Sequence, residues 1–179
     1  SVIVFSLSKI MDDLAKISDD LIMFSMEGLG YFALPDQFTT GSSFMPHKKN
    51  PDVLELIRAK STVVQSNLYQ LNNMTSKLIS GYNRDGQLTK EPLMESFEIT
   101  LSGINIMNLV LKGLKVNEEN CIKAFDKNIF ATDEVMNLVK KGVPFREAYQ
   151  KIAKNIAEVQ KINPIQNIQS KKHAGATGN

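Results

Sequence analysis

The 179 residues carry 21 Lys and Arg against 19 Asp and Glu, a net charge of +2, and 42% of them are hydrophobic, enough to build one medium domain, or one domain with a small appendage. The lysines are dispersed among acids, which argues against a nucleic-acid face, and no apolar run is long enough to span a membrane. Cys121 is the only cysteine and His47 and His173 are the only histidines, so an intrachain disulfide is excluded and no cluster for a structural metal forms.

Over residues 4–26, Leu7, Ile10, Leu14, Ile17, Leu21 and Phe24 alternate spacings of three and four, which predicts a long helix packed along a heptad seam. Ser6 or Ser8 is a candidate cap for its start. The opening SVIVFSLSKI begins inside an apolar stretch with no polar lead-in, so the chain is expected to lie within a longer protein. Gly28 and Gly30 end the helix, and residues 31–40, with Pro35 and Asp36, form a connector.

Gly41, Ser42 and Ser43 then read as an exposed loop of small residues, followed by the cations Lys48 and Lys49. Asn50 reads as an N-cap with Pro51 in the first helical turn, and Asp52 and Glu55 place negative charge near the positive end of that helix. The helix continues to about Met74, with Val53, Ile57, Val64, Leu68 and Leu71 on one side and Glu55, Arg58 and Thr62 on another.

Gly81, Asn83, Asp85 and Gly86 mark a turn cluster over residues 76–87. Thr89, Glu91 and Pro92 open a third helix carrying Leu93, Phe97, Leu101, Ile104, Met107 and Val110, which breaks at Gly113. Asn117 caps a restart, and short helices are expected at about 118–125, 131–141 and 144–160, the last two from the Thr132–Asp133 cap region and from Pro144. The tail from Ser170, with His173, reads as loop. Cys121 and the methionines at 11, 23, 26, 74, 94, 107 and 136 read as core fillers. The expected fold is all-α: a long-helix bundle over residues 1–113 followed by a small C-terminal helical domain over 114–179.

The chemistry concentrates in one stretch. A serine hydroxyl at 42, two lysines and a helix N-terminus within a dozen residues make a place where a carboxylate or enolate-like oxyanion is stabilised beside a base. The string GSSFMPHKKNP resembles the GSSxMPxKxNP signature of the fumarase/aspartase superfamily, with all eight specified positions met. GYNRDGQLTKEPL over residues 81–93 is similar to the segment marking the argininosuccinate lyase branch, which includes the non-catalytic delta-crystallins of the eye lens.

That resemblance implies an anti elimination in arginine biosynthesis, in which argininosuccinate gives arginine and fumarate through an aci-carboxylate intermediate. It implies a cytoplasmic homotetramer in which three subunits share each site, with neither metal nor cofactor. By position in the motif Ser42 is the general base, with Ser43 ranked behind it. Lys48 grips the carboxylate on which charge accumulates, and Asn50 bonds the same group unless it serves as the cap. Glu55 occupies the position of a carboxylate that orients a histidine; otherwise it is an ordinary first-turn acid. His47 sits at the variable position of the motif and is not that histidine. Tyr82, Gln87 and Lys90 correspond to substrate-binding residues, and Arg84 is given no role.

The superfamily's N-terminal domain and its threonine- and histidine-bearing loops have no counterpart here, so the chain alone is expected to be inactive. Two other readings are another lyase of the superfamily, adenylosuccinate lyase or fumarase, and a structural protein of the delta-crystallin kind. GYNRDGQ, with KKGVPFREAY over residues 140–149, favours the argininosuccinate branch.

Overall fold

Apolar and small side chains recurring every third or fourth residue commit three stretches to helices of one length. In the computed structural model, which describes residues 1–41, 44, 49–125 and 130–155, these are α1 (Val2–Ser25), α2 (Asp52–Thr75) and α3 (Lys90–Gly113), each of 24 residues, or about 36 Å along the axis. Among the described residues three shorter helices follow, α4 (Glu118–Lys123), α5 (Ala131–Lys140) and α6 (Phe145–Lys154). The fold is all-α; the extended pieces among the described residues are two-residue strands. The chain divides into two units, Ser1–Asn117 and Glu118–Asn179.

In the first unit, α1 packs along α2, and α3 packs on both. Cross-helix bonds show the directions. Arg58 donates to Asp19 at 2.7 Å and Ser61 to Asp12 at 3.2 Å, so α2 runs antiparallel to α1. Asn67, in the second half of α2, donates to Glu95 at 2.8 Å and to Ser96 at 3.2 Å near the start of α3, and the segment joining the two helices touches both, so α3 runs back along α2. The core joins Val4, Met11, Leu14 and Leu21 to Leu54, Ile57, Val64 and Leu71, and to Ile99, Met107 and Val110.

The buried stripe of α1 is not the heptad seam expected from hydropathy. It runs through Val4, Ser8, Met11, Leu14, Ser18 and Leu21, while Ile10 and Ile17 remain 40% and 39% exposed. The displacement has a physical cause. Ser8 and Ser18 donate to the carbonyls of Phe5 and Leu14, both at 2.8 Å, so their hydroxyls are satisfied within the helix and their small volume lets a neighbour approach. Ser96 and Thr100 of α3 do the same toward Pro92 and Ser96. Ser6 and Ser8 are therefore helix-interior residues and not caps; Ser1 precedes the first turn. Of the methionines, Met11 and Met107 are core, whereas Met23, Met26, Met94 and Met136 are exposed.

The connector after α1 is fixed at several points. β1 (Phe32–Ala33) pairs antiparallel with β4 (Lys115–Val116), which follows α3, and the Asn117 N–H donates to the Tyr31 carbonyl at 2.8 Å. Gly113, the last residue of α3, lies so near Pro35 that a Cβ there would sit 2.6 Å from the proline Cγ. A 3-10 turn (Asp36–Phe38) then leads to β2 (Thr40–Gly41), which pairs antiparallel with β3 (Lys49–Asn50), immediately ahead of α2. A second 3-10 segment (Arg84–Thr89) packs on α2 and α3 where one gives way to the other.

In the second unit, α5 packs on α6 around Phe130, Val135 and Ala148. Gly142 joins them with φ +91°; its N–H bonds the Val139 carbonyl at 2.9 Å and that of Val143 bonds Leu138 at 3.1 Å, the Schellman arrangement that calls for glycine. Thr132 and Asp133 lie inside the first turn of α5, which has Phe130 before it, while Pro144 does precede α6. Cys121 is half-buried, not core. The end expected for the last helix near residue 160, and the tail with His173, lie outside the described residues.

Candidate active site

The residues singled out by the sequence fall into two groups. The first surrounds the start of α2. Asn50 is not the N-cap expected of it: it belongs to β3, opposite Thr40, and Pro51 occupies the capping position with no side-chain cap bond. The Pro51 carbonyl accepts from the N–H groups of Leu54 at 2.9 Å and Glu55 at 3.1 Å. A capping asparagine would direct its amide into the first turn, so pairing within β3 leaves the half-buried Asn50 side chain uncommitted to that turn. Glu55 is exposed in the first turn, beside Asp52. Ser42, Ser43, His47 and Lys48 lie outside the described residues; Phe44, between them in sequence, is exposed.

The neck on either side of residues 42–48 is well defined. Gly41 stands opposite Lys49 and Thr40 opposite Asn50. Lys49 donates to the Asp36 carboxylate, and the Thr40 hydroxyl donates to Asp52. The Lys49 bond is the main cause holding the Asp36 carboxyl below its ordinary value, with Lys115 adding a smaller push in the same direction. The sequence marked Lys49 as a cation of the signature stretch and Asp36 as part of the connector but not their pairing, because an ion pair across a neck leaves no periodic trace.

The second group lies at the far end of α2. Tyr82, 86% exposed, precedes the 3-10 segment, Gln87 lies within it and Lys90 opens α3; both of these are exposed. Because α3 runs back along α2, Tyr82, Gln87 and Lys90 are separated from Asn50 and Glu55 by most of the length of α2, on the order of 25–35 Å. One copy of the chain brings Asn50 and Glu55 together and brings Tyr82, Gln87 and Lys90 together, but does not bring the two groups to one place. Among the described residues no group of His, Cys, Asp and Glu is arranged to hold a metal ion, and no helix is long and apolar enough to cross a membrane.

Comparison with known proteins bears on the same stretch. Residues 2–66 match a family model described as lyase. The chain is 40% identical over 164 residues to an argininosuccinate lyase of Sorangium cellulosum, covering 92% of this chain and 38% of that protein. It is 42% identical over 147 residues to an argininosuccinate lyase of Thermotoga neapolitana, covering 82% and 37%. The chain thus spans a little over a third of the length of these curated relatives. In fold it is similar to a fumarate lyase, delta crystallin, of Brucella melitensis, with a TM-score of 0.65 at 23% identity over 88% of this chain and 36% of that one. Residues 2–66 thus match a lyase family, and the chain as a whole is similar to a segment of argininosuccinate lyases, on an all-helical fold like that of the Brucella protein.

Proposed function

We propose that this chain is the C-terminal part of an argininosuccinate lyase, which cleaves argininosuccinate to arginine and fumarate in arginine biosynthesis, in the cytoplasm and as a homotetramer. The difficulty of the reaction is a weakly acidic C–H beside a carboxylate. Ser42, as alkoxide, takes that proton. The electron pair moves into the carboxylate to give the aci form, and it returns to make the double bond as the C–N bond to the guanidinium breaks. The departing nitrogen takes up a proton, and arginine and fumarate remain. Lys48 and Asn50 hold the oxygens on which charge accumulates, Glu55 orients a histidine supplied by another segment, and Tyr82, Gln87 and Lys90 bind the rest of the substrate.

The observation that carries the reading is the separation of the two groups of residues along α2. A substrate of this size cannot bridge a gap on the order of 25–35 Å, so the groups serve one reaction only if different copies contribute them. The outer faces of the helices support such an assembly. Ile3, Ile10 and Ile17 on α1, Leu56 and Val63 on α2, and Phe97, Leu101, Ile104 and Leu111 on α3 are exposed at intervals of three, four or seven, the spacing of helix seams that pack on further helices. The first unit would then be a portion of a central bundle, and the second a small C-terminal domain.

The test is a fumarate-release assay with argininosuccinate, adenylosuccinate and malate as alternative substrates, on the complete lyase polypeptide that carries this segment and on the 179-residue chain alone. The complete polypeptide should act on argininosuccinate and the chain alone should not. Ser42→Ala in the complete polypeptide should lower kcat by about a thousandfold or more, with folding and substrate binding retained. An unchanged rate would remove Ser42 from the mechanism, turnover of another substrate would move the protein to a different branch, and no turnover would favour the structural role.

A further inference from the structure

Lys49 stands at a variable position of the motif, and the proposed reaction gives it no part. Its ammonium is directed to the Asp36 carboxylate, thirteen positions earlier. Asp36 is itself held in place: its carbonyl accepts from the N–H of Thr39 at 3.2 Å and from the Thr39 hydroxyl at 3.1 Å. The ring of the preceding Pro35 lies against Gly113. Across the neck, the Thr40 hydroxyl bonds Asp52 in the first turn of α2. Successive strand side chains point to opposite faces, so a Lys49 turned outward to Asp36 fixes which face Asn50 presents, and Asn50 is the half-buried one of the two.

We propose that Asp36 and Lys49 are a positioning pair for the elimination: their ion pair sets the register of the β2–β3 neck, and with it the orientation of Asn50 and the points at which the segment bearing Ser42 and Lys48 joins the fold. The inference rests on the lyase reading above. A two-residue ladder is marginal by itself and can slip by one residue, which would turn Asn50 to the opposite face. An exposed ion pair adds little to global stability, so the pair acts on geometry at the neck, while Leu34 and Phe38 on either side of Asp36 keep their packing on the core.

The test uses Asp36→Lys, Lys49→Asp and the double exchange in the complete lyase polypeptide. Each single variant should lower kcat about tenfold or more with KM little changed, and the double exchange should return it to within about threefold of the parent. The urea midpoint should be the same in all four proteins. Single variants with the parent's kcat, or a double exchange as slow as the singles, would overturn the proposal. If the parent releases no fumarate from argininosuccinate, the lyase reading fails, and the pair is judged by amide hydrogen exchange across Thr40–Gly41 and Lys49–Asn50. Faster exchange in both single variants and recovery in the double would support the pair; equal rates in all four would overturn it.

Discussion

The two faces of α1 sort their side chains against simple hydropathy. The face turned toward α2 and α3 holds Ser8 and Ser18 among Val4, Met11, Leu14 and Leu21, whereas the opposite face holds Ile3, Ile10 and Ile17 in contact with solvent. What decides the inner face is volume together with internal satisfaction: a serine whose hydroxyl is bonded to its own helix adds no unmet polar group and keeps two axes close. The outer isoleucines have no such role within one chain, and in the proposed tetramer they are the surface that another helix covers.

The largest effect expected from this contrast comes from a pair of leucines two positions apart on α2. Leu54 is fully buried and Leu56 is 59% exposed. In urea unfolding of the chain, Leu54→Ala should cost about 2–5 kcal/mol, and Leu56→Ala no more than about 0.5 kcal/mol. Light scattering should show the reverse ranking, with Leu56→Asn lowering the average mass and leaving the fold in place. Equal costs at the two positions would erase the distinction between the faces.

A smaller effect sharpens the role of the serines. Ser18 is fully buried, so Ser18→Val adds volume where the helices meet and should destabilise by about 1–3 kcal/mol despite being more apolar. A gain in stability would mean that the inner face is loosely packed.

The smallest effect concerns Asp12, whose carboxylate accepts from Lys9 at 2.8 Å, from Ser61 at 3.2 Å and from Gln65. The Lys9 bond is the chief cause holding its pKa below the ordinary 3.8, with the Gln65 and Ser61 bonds adding to it. A carboxylate with a lowered folded-state pKa contributes stability above its unfolded value, and this is lost as pH falls through the folded-state value. Between about pH 5 and pH 3, Asp12→Asn should therefore lose less stability than the parent, by a fraction of a kcal/mol. Parallel pH curves would remove Asp12 from the α1–α2 contact.

Much of this architecture was legible in the residues. The three long helices follow from apolar spacing and from the Asn50-Pro51 and Thr89-to-Pro92 punctuation, to within a few residues of the observed ends. The motif string marked the neighbourhood of Asn50 and Glu55 because its residue types are tied to chemistry. Three things were not legible. The inner face of α1 was missed because serine scores as polar wherever its hydroxyl goes. The pairing of Phe32 with Val116 spans more than eighty residues and depends on where α3 ends. The bond from Lys49 to Asp36 joins a cation read with the signature stretch to an acid read with the connector, and no spacing rule links the two.

The close approach of Gly113 to Pro35 carries a consequence for engineering. Because even one added methyl group would have to displace the ring next to Asp36, tolerance to substitution at position 113 should be as low as at the signature itself, more than sixty residues upstream. A library confined to the signature would overlook it, and a stabilised variant built by replacing helix glycines with alanine should leave this one untouched.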